Sequence, residues 1–183
     1  FEGSSGSISR TGCTAGITAF SSKAELKSAV DACLKLSPKG DCFNGPNGPI
    51  AEWDVSSVSD MSRVFHNANS FNGDISKWDV FSVTTMSSMF ANAKSFVCDI
   101  STWDVSSVRT MSSMFMSAKS FNGDLSKWDV SSVTNMKGMF WDAVKFEGTL
   151  MFDSPLSKWD VSSVTDMSRM FAGAKVFNGD ISE

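Results

Sequence analysis

The chain has 183 residues, a net charge of -4, 42% apolar and 20% charged residues, one histidine and no tyrosine. That length suits one domain or one repeat array with a core of its own. The acidic balance gives no reason to expect nucleic-acid binding, which depends on clustered Lys and Arg. The sequence has no run of about 18 apolar residues, so we predict no membrane span.

The first part of the chain differs from the remainder and predicts a cap. We predict an extended N-terminal arm over residues 1–20, then a helical cap with a degenerate repeat zero over residues 21–52. The stretch SSKAELKSAVDACLKL, from Ser21, predicts one amphipathic helix because its apolar residues recur at helical spacing. The predicted buried face comprises Leu26, Ala29, Val30, Cys33 and Leu34. FNGPNGPIAEWD then echoes the later FNGDISKWD with three extra residues.

From residue 53 to residue 183 one phrase recurs. Trp-Asp-Val starts at residues 53, 78, 103, 128 and 159, at spacings of 25, 25, 25 and 31. A fixed period of this size is typical of a solenoid. The last spacing is longer because of an insertion at about residues 150–156. The next Trp would fall just beyond Glu183, so the period leaves room for further repeats.

Each repeat changes its apolar period once. Spacings of i, i+3, i+7 and i+10 predict a helix in its first part, as at Val58, Met61, Phe65 and Ala68. Short strands are predicted in the second part, at Phe71, Ile75, Trp78 and Val80. The predicted fold is an α/β repeat, a right-handed β/α solenoid that is leucine-rich-repeat-like, with about five 25-residue repeats and an N-terminal helical cap. Because packed helices are about 8–10 Å apart and strands about 4.8 Å, we expect a curved stack with the strands on the concave side if the helices are full α-helices. Shorter, 3₁₀-like helices would straighten the stack.

The consensus FNGDISKWDVSSVTNM resembles the BspA-like leucine-rich-repeat family, also described as a Mycoplasma-type lipoprotein domain of unknown function. The resemblance covers about residues 43–183. The phrases SSKAELKSAVDACLKLSPKGDC and GPNGPIAEWDVSSV are similar to the microalgal branch of that family. The resemblance implies a β/α solenoid with a surface or attachment role, and it implies no catalytic residues. Val97-Cys98 departs from the Asn-Gly of the consensus.

Four cysteines are present, and none of them forms a C-x-x-C motif: Cys13, Cys33, Cys42 and Cys98. Three lie in the N-terminal part, which favours a disulfide that clamps the end of the helix to repeat zero. We favour Cys33–Cys42, and the alternative pairs Cys13 with either. Cys98 is predicted to be unpaired. A disulfide would indicate an oxidising compartment, such as an organelle lumen or the cell exterior.

An Asp follows each repeated Trp, at Asp54, Asp79, Asp104, Asp129 and Asp160. Stacked carboxylates supply the oxygen ligands that Ca²⁺ prefers. We favour a structural role, because Asp at a chain corner accepts backbone N–H groups. His66 is the only histidine, which excludes His-based triads and multi-His metal sites. We therefore predict no catalytic residue, no metal, no cofactor and no enzymatic activity.

Residues that depart from their repeat column are candidates for partner binding. Met116 and Trp141 lie one repeat apart in an outer column that elsewhere holds His66, Ala91 and Ala172. We expect them to be neighbours, with Met151 and Phe152 added by the insertion in the repeat of Trp141. An exposed apolar patch is typical of a binding surface, and aromatic anchors are frequent hot spots. The alternative is that the inserted loop folds over Trp141.

Two further departures extend this surface. Phe81 stands where other repeats carry Ser, and Val144 replaces a polar residue near the end of the predicted helix. The predicted partner-binding residues are therefore Trp141, Met116, Met151, Phe152, Phe81 and Val144.

These features predict a non-enzymatic protein-binding scaffold. The microalgal resemblance implies a peripheral or linker subunit of a larger assembly, with a photosynthetic membrane complex and the thylakoid lumen as the specific expectation. The alternative is a secreted or cell-surface adhesion protein. In both cases we expect a protein partner, no nucleic acid, no transmembrane segment and a non-cytosolic location, and peripheral membrane association is compatible with the first.

Overall fold

The computed structural model describes residues 18–143 and 158–174. Within these ranges it contains one α-helix, α1 (Lys23–Leu36), one 3₁₀ helix (Ile50–Glu52) and isolated parallel bridges in place of longer strands. None of the helices in the described ranges is long and apolar enough to cross a membrane. The remaining described backbone consists mostly of turns.

Helix α1 lies inside the stretch that the sequence predicts to be helical. Ser22 is its N-cap, where the hydroxyl accepts a hydrogen bond from the Glu25 backbone N–H at 3.3 Å. Most of the predicted apolar face is buried, namely Leu26, Ala29, Val30 and Cys33, and Leu34 packs against the core in part. The Lys23 ammonium contacts the Asp60 carboxylate at 3.2 Å and the Ser62 hydroxyl, which joins α1 to the first repeat.

The segment before α1 pairs with the start of the first repeat. The Phe20 N–H donates to the Asp54 carbonyl, and the Asp54 N–H donates to the Thr18 carbonyl, both at 2.9 Å. The Phe20 ring lies 5.1 Å from the Trp53 ring. Of the predicted arm, residues 1–17 lie outside the described residues.

Successive repeats are joined by a row of main-chain hydrogen bonds that we call the turn ladder, comprising residues 59–70, 84–95, 109–120, 134–143 and 165–174. At the first junction, alternate N–H groups donate across the repeats at 2.8–3.0 Å, from Met61, Arg63, Phe65 and Asn67 to Thr85, Ser87, Met89 and Ala91. The residues between them bond within their own repeat, from Val64, His66 and Ala68 to Met61, Arg63 and Phe65. The same alternation joins each later pair of described repeats.

The helix predicted in each repeat is therefore wrong for the described repeats, because the only α-helix of the described residues is α1, in the cap. Turns from Met61 to Val64 and from Phe65 to Ala68 replace it, each closed by an i→i+3 hydrogen bond. Their third residues have φ of 61° at Arg63 and 63° at Asn67, the sign that a type II turn requires. Apolar residues at the ends of consecutive turns recur about every three residues, which imitates a helical spacing. Without packed helices, the reason to expect a curved stack also disappears.

The rest of each repeat forms what we call the corner segments, comprising residues 53–58, 71–83, 96–108, 121–133 and 158–164. The predicted strands are absent from these described segments, which consist of backbone without regular secondary structure and two short turns in each full segment. The Trp78 N–H donates to the Ile75 carbonyl at 3.1 Å, and the Val83 N–H donates to the Val80 carbonyl at 2.9 Å. Both ends of each turn are buried, so the apolar alternation is satisfied without a strand.

The core consists of columns of identical side chains. Five Phe rings stack between repeats with centroids 5.5–5.7 Å apart, namely Phe65, Phe90, Phe115, Phe140 and Phe171. A second stack joins Phe71, Phe96 and Phe121 at 5.6–5.8 Å. In the last described repeat, Val161 and Met167 are exposed, whereas the matching residues of earlier repeats are buried.

The insertion does not disturb the register of the last repeat. Asn135 forms its parallel bridge with Asp166, 31 residues away, whereas Thr85 and Thr110 are 25 apart. The insertion itself, at about residues 150–156, lies outside the described residues. Hydrogen bonds and ring stacks thus link neighbouring repeats, while the solenoid class and its right-handedness stay predictions.

Candidate partner-binding surface

The repeated Trp residues are structural. The indole N–H groups of Trp78, Trp103 and Trp128 each donate to a carbonyl of the preceding repeat at 3.0–3.1 Å, and the acceptors are Ile50, Ile75 and Ile100. Trp159 does the same to the Leu125 carbonyl at 3.0 Å. These rings are buried, with Trp128 only 3% exposed. The N–H and the ring face are therefore both occupied within the chain.

Trp141 has a different environment. Its side chain is 39% exposed, and the Arg169 guanidinium lies 5.5 Å from the ring centroid, within cation–π range. Its backbone is fixed, because the Trp141 N–H donates to the Gly138 carbonyl at 3.0 Å and its own carbonyl accepts from the Ser117 N–H at 2.8 Å. Trp141 is thus an exposed aromatic residue on an ordered turn.

Gly138 begins the turn that carries Trp141 and has the positive φ of its column. Its φ of +59° lies in the left-handed region, and a Cβ placed there would be 3.7 Å from the Trp141 Cβ. The Gly138 N–H donates to the Ser168 carbonyl at 2.9 Å, which places the Arg169 repeat beside it.

Met116 occupies the neighbouring position of the same column and is partly buried. The Ser117–Trp141 hydrogen bond places the two residues on adjacent rungs of the turn ladder. Beside them, the Lys119 ammonium forms an ion pair with the Asp142 carboxylate at 2.6 Å and donates to the Asp142 carbonyl at 2.8 Å. The structure therefore brings Met116 and Trp141 together, with charged side chains at their edge.

The other predicted partner-binding residues do not join this group in the described part of the chain. Phe81 is 57% exposed and follows Asp79 in a corner segment, where its N–H donates to the Asp79 carboxylate at 3.1 Å. None of the hydrogen bonds or ring contacts of Phe81 among the described residues reaches Met116 or Trp141. Val144, Met151 and Phe152 lie outside the described residues.

Two exposed apolar residues of the cap were missed by the sequence analysis. Phe43 is 71% exposed and Leu36 is 65% exposed. The FNG echo aligns Phe43 with the buried Phe71, but the disulfide at Cys42 and the nearby prolines change the path of the chain. The adjacent Cys42 was the signal that could have revealed this.

The Asp residues after each Trp close their own turns. The Asp129 carboxylate accepts from the Ser131 hydroxyl at 2.6 Å and from the Ser131 N–H at 3.0 Å. These two hydrogen bonds lower the pKa of Asp129, the hydroxyl contributing most. Similar bonds lower the pKa of Asp54 and Asp160. This geometry agrees with the structural role favoured from the sequence, and the described residues contain no group of three or more potential ligands that could hold a metal ion.

His66 is partly buried and belongs to the same column as Met116 and Trp141. Burial lowers its pKa, with smaller contributions from the charges of Arg63 and Lys27. Burial and the two nearby cations thus disfavour the charged form of this imidazole, at one end of the turn ladder.

The predicted disulfide Cys33–Cys42 is confirmed, with the two Cα atoms 5.4 Å apart. Cys13 lies outside the described residues. Cys98 is the free cysteine of the described part, as predicted, and burial raises the pKa of its thiol. The disulfide is typical of an oxidising, non-cytosolic environment.

A family model described as "Mycoplasma protein of unknown function, DUF285" matches residues 39–151 and 145–183. No curated protein and no solved structure was found to match the chain. The two matched ranges cover the repeats and the end of the cap, and they support the resemblance drawn from the repeat consensus. The chain therefore belongs to the BspA-like DUF285 family, whose function is unknown.

Proposed function

We propose that this chain is a non-enzymatic protein-binding scaffold whose main contact surface is centred on Trp141. The observation that carries the proposal is the 39% exposure of Trp141 in a column where the other side chains are smaller or more covered. A Trp that only filled space would be buried like Trp128, since burying an aromatic side chain is favourable. An exposed Trp on a fixed backbone is instead typical of a binding hot spot.

The ordered surroundings of Trp141 favour tight association. Its backbone is held on both sides by the turn ladder, so binding would order little additional chain. Met116 extends the apolar surface along the column, while Arg169, Lys119 and Asp142 form a polar edge. An apolar centre with a polar rim is the usual organisation of a protein interface.

Two observations favour a binding role over catalysis. The carboxylates of Asp54, Asp104 and Asp129 each accept from the Ser hydroxyl two residues later, and Asp79 accepts from the Phe81 N–H. The single histidine of the chain, His66, lies in the turn ladder and has no partner His. These Asp residues and His66 therefore provide no acid–base pair suited to a reaction.

We further propose that the repeats stack as a right-handed solenoid and that the chain is a peripheral or linker subunit of a larger assembly. The one-repeat spacing of the turn ladder and of the Phe stacks supports the solenoid. The similarity of the cap phrases to microalgal sequences supports a photosynthetic membrane complex, and the disulfide is compatible with a lumenal location.

The second candidate is a secreted or cell-surface adhesion protein. The Cys33–Cys42 disulfide favours it as well, because the cell exterior is also oxidising. Phe43, exposed in the cap, would provide a second contact in that case.

Affinity purification of the tagged chain in mild detergent tests the proposal. We expect one defined complex to co-purify, and Trp141→Ala to lower its yield by about tenfold or more, as for a hot-spot residue. His66→Ala is the matched control, since it alters the same column three repeats away. Unchanged yield for Trp141→Ala would reject the surface. Recovery of the chain from the cell exterior, without a membrane complex, would favour adhesion.

A further inference from the structure

The charges of the described repeats are divided between the two parts of each repeat. The turn ladder contains six Lys or Arg residues against three Asp, and the basic residues are Arg63, Lys94, Arg109, Lys119, Lys137 and Arg169. The corner segments contain eight Asp against three Lys. The six basic residues occupy four different columns of the repeat, but all of them lie in the part of each repeat that is hydrogen-bonded in register. We therefore call the turn ladder, with its excess of cations, the basic stripe, and the corner segments, with their excess of carboxylates, the acidic stripe. The overall charge of -4 conceals this division.

Trp141 lies within the basic stripe. The Arg169 guanidinium lies over its ring, and Lys119 lies beside it in the ion pair with Asp142. Lys137 is exposed four residues before Trp141. Around the exposed ring there are thus three cations and two carboxylates, Asp142 beside Lys119 and Asp166 beside Lys137, which leaves a net positive charge.

We propose that the partner segment that covers Trp141 is an acidic polypeptide, with an apolar or aromatic anchor flanked by carboxylates. This inference rests on the proposed function of the Trp141 surface. A guanidinium that stacks on an aromatic ring still presents its N–H donors at the edge, where a carboxylate accepts them in pairs. The apolar anchor would cover Trp141 and Met116, while Glu or Asp side chains reach Arg169 and Lys119.

The acidic stripe argues against an extended polyanion as the occupant. Nucleic acid places phosphates along its whole length and would approach the Asp-rich corner segments of the same repeats. A short acidic segment needs to match only the basic stripe, and charge complementarity of this kind selects among partners.

Three synthetic peptides serve as probes. Each has a Leu-Phe-Leu centre, and the flanking residues are Glu in the first, Gln in the second and Lys in the third. At low salt we expect the intact chain to bind the Glu peptide about tenfold or more tightly than the Gln peptide, and not to bind the Lys peptide. The difference between the Glu and Gln peptides should be smaller at about 0.15 M salt, because salt screens the charges. Fluorescence anisotropy of labelled peptides measures the affinities.

Charge variants test whether the preference for the Glu peptide depends on Lys119 and Arg169. Reversal of both cations, Lys119→Glu with Arg169→Glu, should abolish the preference for the Glu peptide. Lys77→Glu with Lys127→Glu is the matched control, because it makes the same charge change in the corner segments and should leave the preference intact. The neutral pair Lys119→Gln with Arg169→Gln, checked by thermal unfolding, gives the same test if the reversed pair folds poorly.

Several results would overturn the proposal. These are equal binding of the Glu and Gln peptides, no binding of the Glu peptide, tighter binding of duplex DNA or anionic vesicles, and a preference that survives charge reversal. If Trp141→Ala lowers co-purification of the native complex while the charge variants do not, the acidic partner is rejected and the proposed function stands. If neither Trp141→Ala nor the charge variants lower co-purification, both the acidic partner and the proposed function are rejected.

Discussion

Trp128 and Trp141 are thirteen residues apart, each followed by Asp, yet they lie in opposite environments. Trp128 is 3% exposed and donates its indole N–H to the Ile100 carbonyl of the preceding repeat at 3.1 Å. Trp141 is 39% exposed and packs beneath Arg169. The same dipeptide therefore serves two purposes, and the repeat column, rather than the local sequence, decides which.

The comparison separates two kinds of residue in a repeat protein. A residue that recurs at one position in every repeat satisfies a requirement of stacking, such as the hydrogen bond from each Trp to the preceding repeat. A residue that departs from its column does not meet a requirement common to all repeats, so where it is exposed, as Trp141 is, it can contact another molecule. Four predictions test or sharpen this distinction.

The largest expected effect is loss of a column Trp. Trp103→Ala should lower the free energy of unfolding by about 3–5 kcal/mol, because it opens a cavity in a packed core. Trp103→Phe should cost about 1 kcal/mol for the hydrogen bond, plus a smaller packing loss. Trp141→Ala should cost less than about 1 kcal/mol, mainly the contact with Arg169. Urea unfolding measures all three variants. Equal losses of unfolding free energy for Trp103→Ala and Trp141→Ala would contradict the distinction between the two kinds of Trp.

The cysteines allow a second comparison, between the Cys33–Cys42 disulfide of the cap and the free Cys98 of the repeats. Cys33→Ser with Cys42→Ser should lower the free energy of unfolding by about 2–3 kcal/mol in the chain-entropy model, for a short closed loop. Cys98→Ser is the control and should have little effect, because Cys98 has no disulfide partner in the described part of the chain. Reduction of the unmodified chain should reproduce the double variant. If reduction leaves the unfolding curve unchanged, the disulfide does not clamp the cap.

The turn ladder predicts a smaller effect at its left-handed residues. Ser113 has φ of 55°, so Ser113→Val should cost about 1–2 kcal/mol, because a β-branched residue is strained there. Ser113→Gly should be neutral or stabilising by up to about 1 kcal/mol. Ser107→Val, at a residue without positive φ, should be nearly neutral. A helical segment would show the reverse at residue 113, with Gly worse than Val, so the thermal unfolding of these variants distinguishes ladder from helix.

The smallest expected effect is a loss of stability in acid. Hydrogen bonds from Ser131 lower the pKa of Asp129, so its stabilising contribution is present above the ordinary Asp pKa of about 3.9 and is lost as the pH falls through the lowered value. The contribution of Asp129 should thus be constant from about pH 7 to pH 5 and fall below about pH 4. The lowered pKa of His66 adds a separate loss of stability as the pH falls below the ordinary His pKa of about 6.5, and a comparison of variant with parent cancels that loss. The effect is modest because the carboxylate is exposed.

Ser131→Ala should reduce the part of this loss that comes from Asp129, since it removes the hydroxyl donor and keeps the N–H. Urea unfolding at pH 6 and at about pH 3 measures the difference between variant and parent. Stability that rises on acidification would contradict the assigned role of the Asp column.

Part of the fold could be predicted from the sequence because the signals were local. The α1 helix follows from the spacing of Leu26, Val30 and Cys33, and the register of the repeats follows from the recurring Trp. The turn ladder could not be predicted in this way. Consecutive four-residue turns and a helix space their apolar residues alike, and what separates them is hydrogen bonding to the next repeat. That information is absent from any single repeat.

The candidate surface was predicted in part for a similar reason. Departure from a column identified Trp141 and Phe81, and both are exposed. Arg169 was missed because its contact with Trp141 crosses the insertion, so no fixed sequence spacing marked it. Phe43 was missed because an apparent repeat was extended into the cap, where the disulfide sets the path of the chain.

Site-specific photo-crosslinking tests the central claim most directly. A photoreactive phenylalanine analogue replaces Trp141, His66 or Ser106 in turn, and crosslinked products are identified by mass spectrometry. We expect one partner protein to be crosslinked from residue 141, and little crosslinking from residue 66 or residue 106. Equal crosslinking from all three residues, or a partner crosslinked only from residue 106, would contradict it.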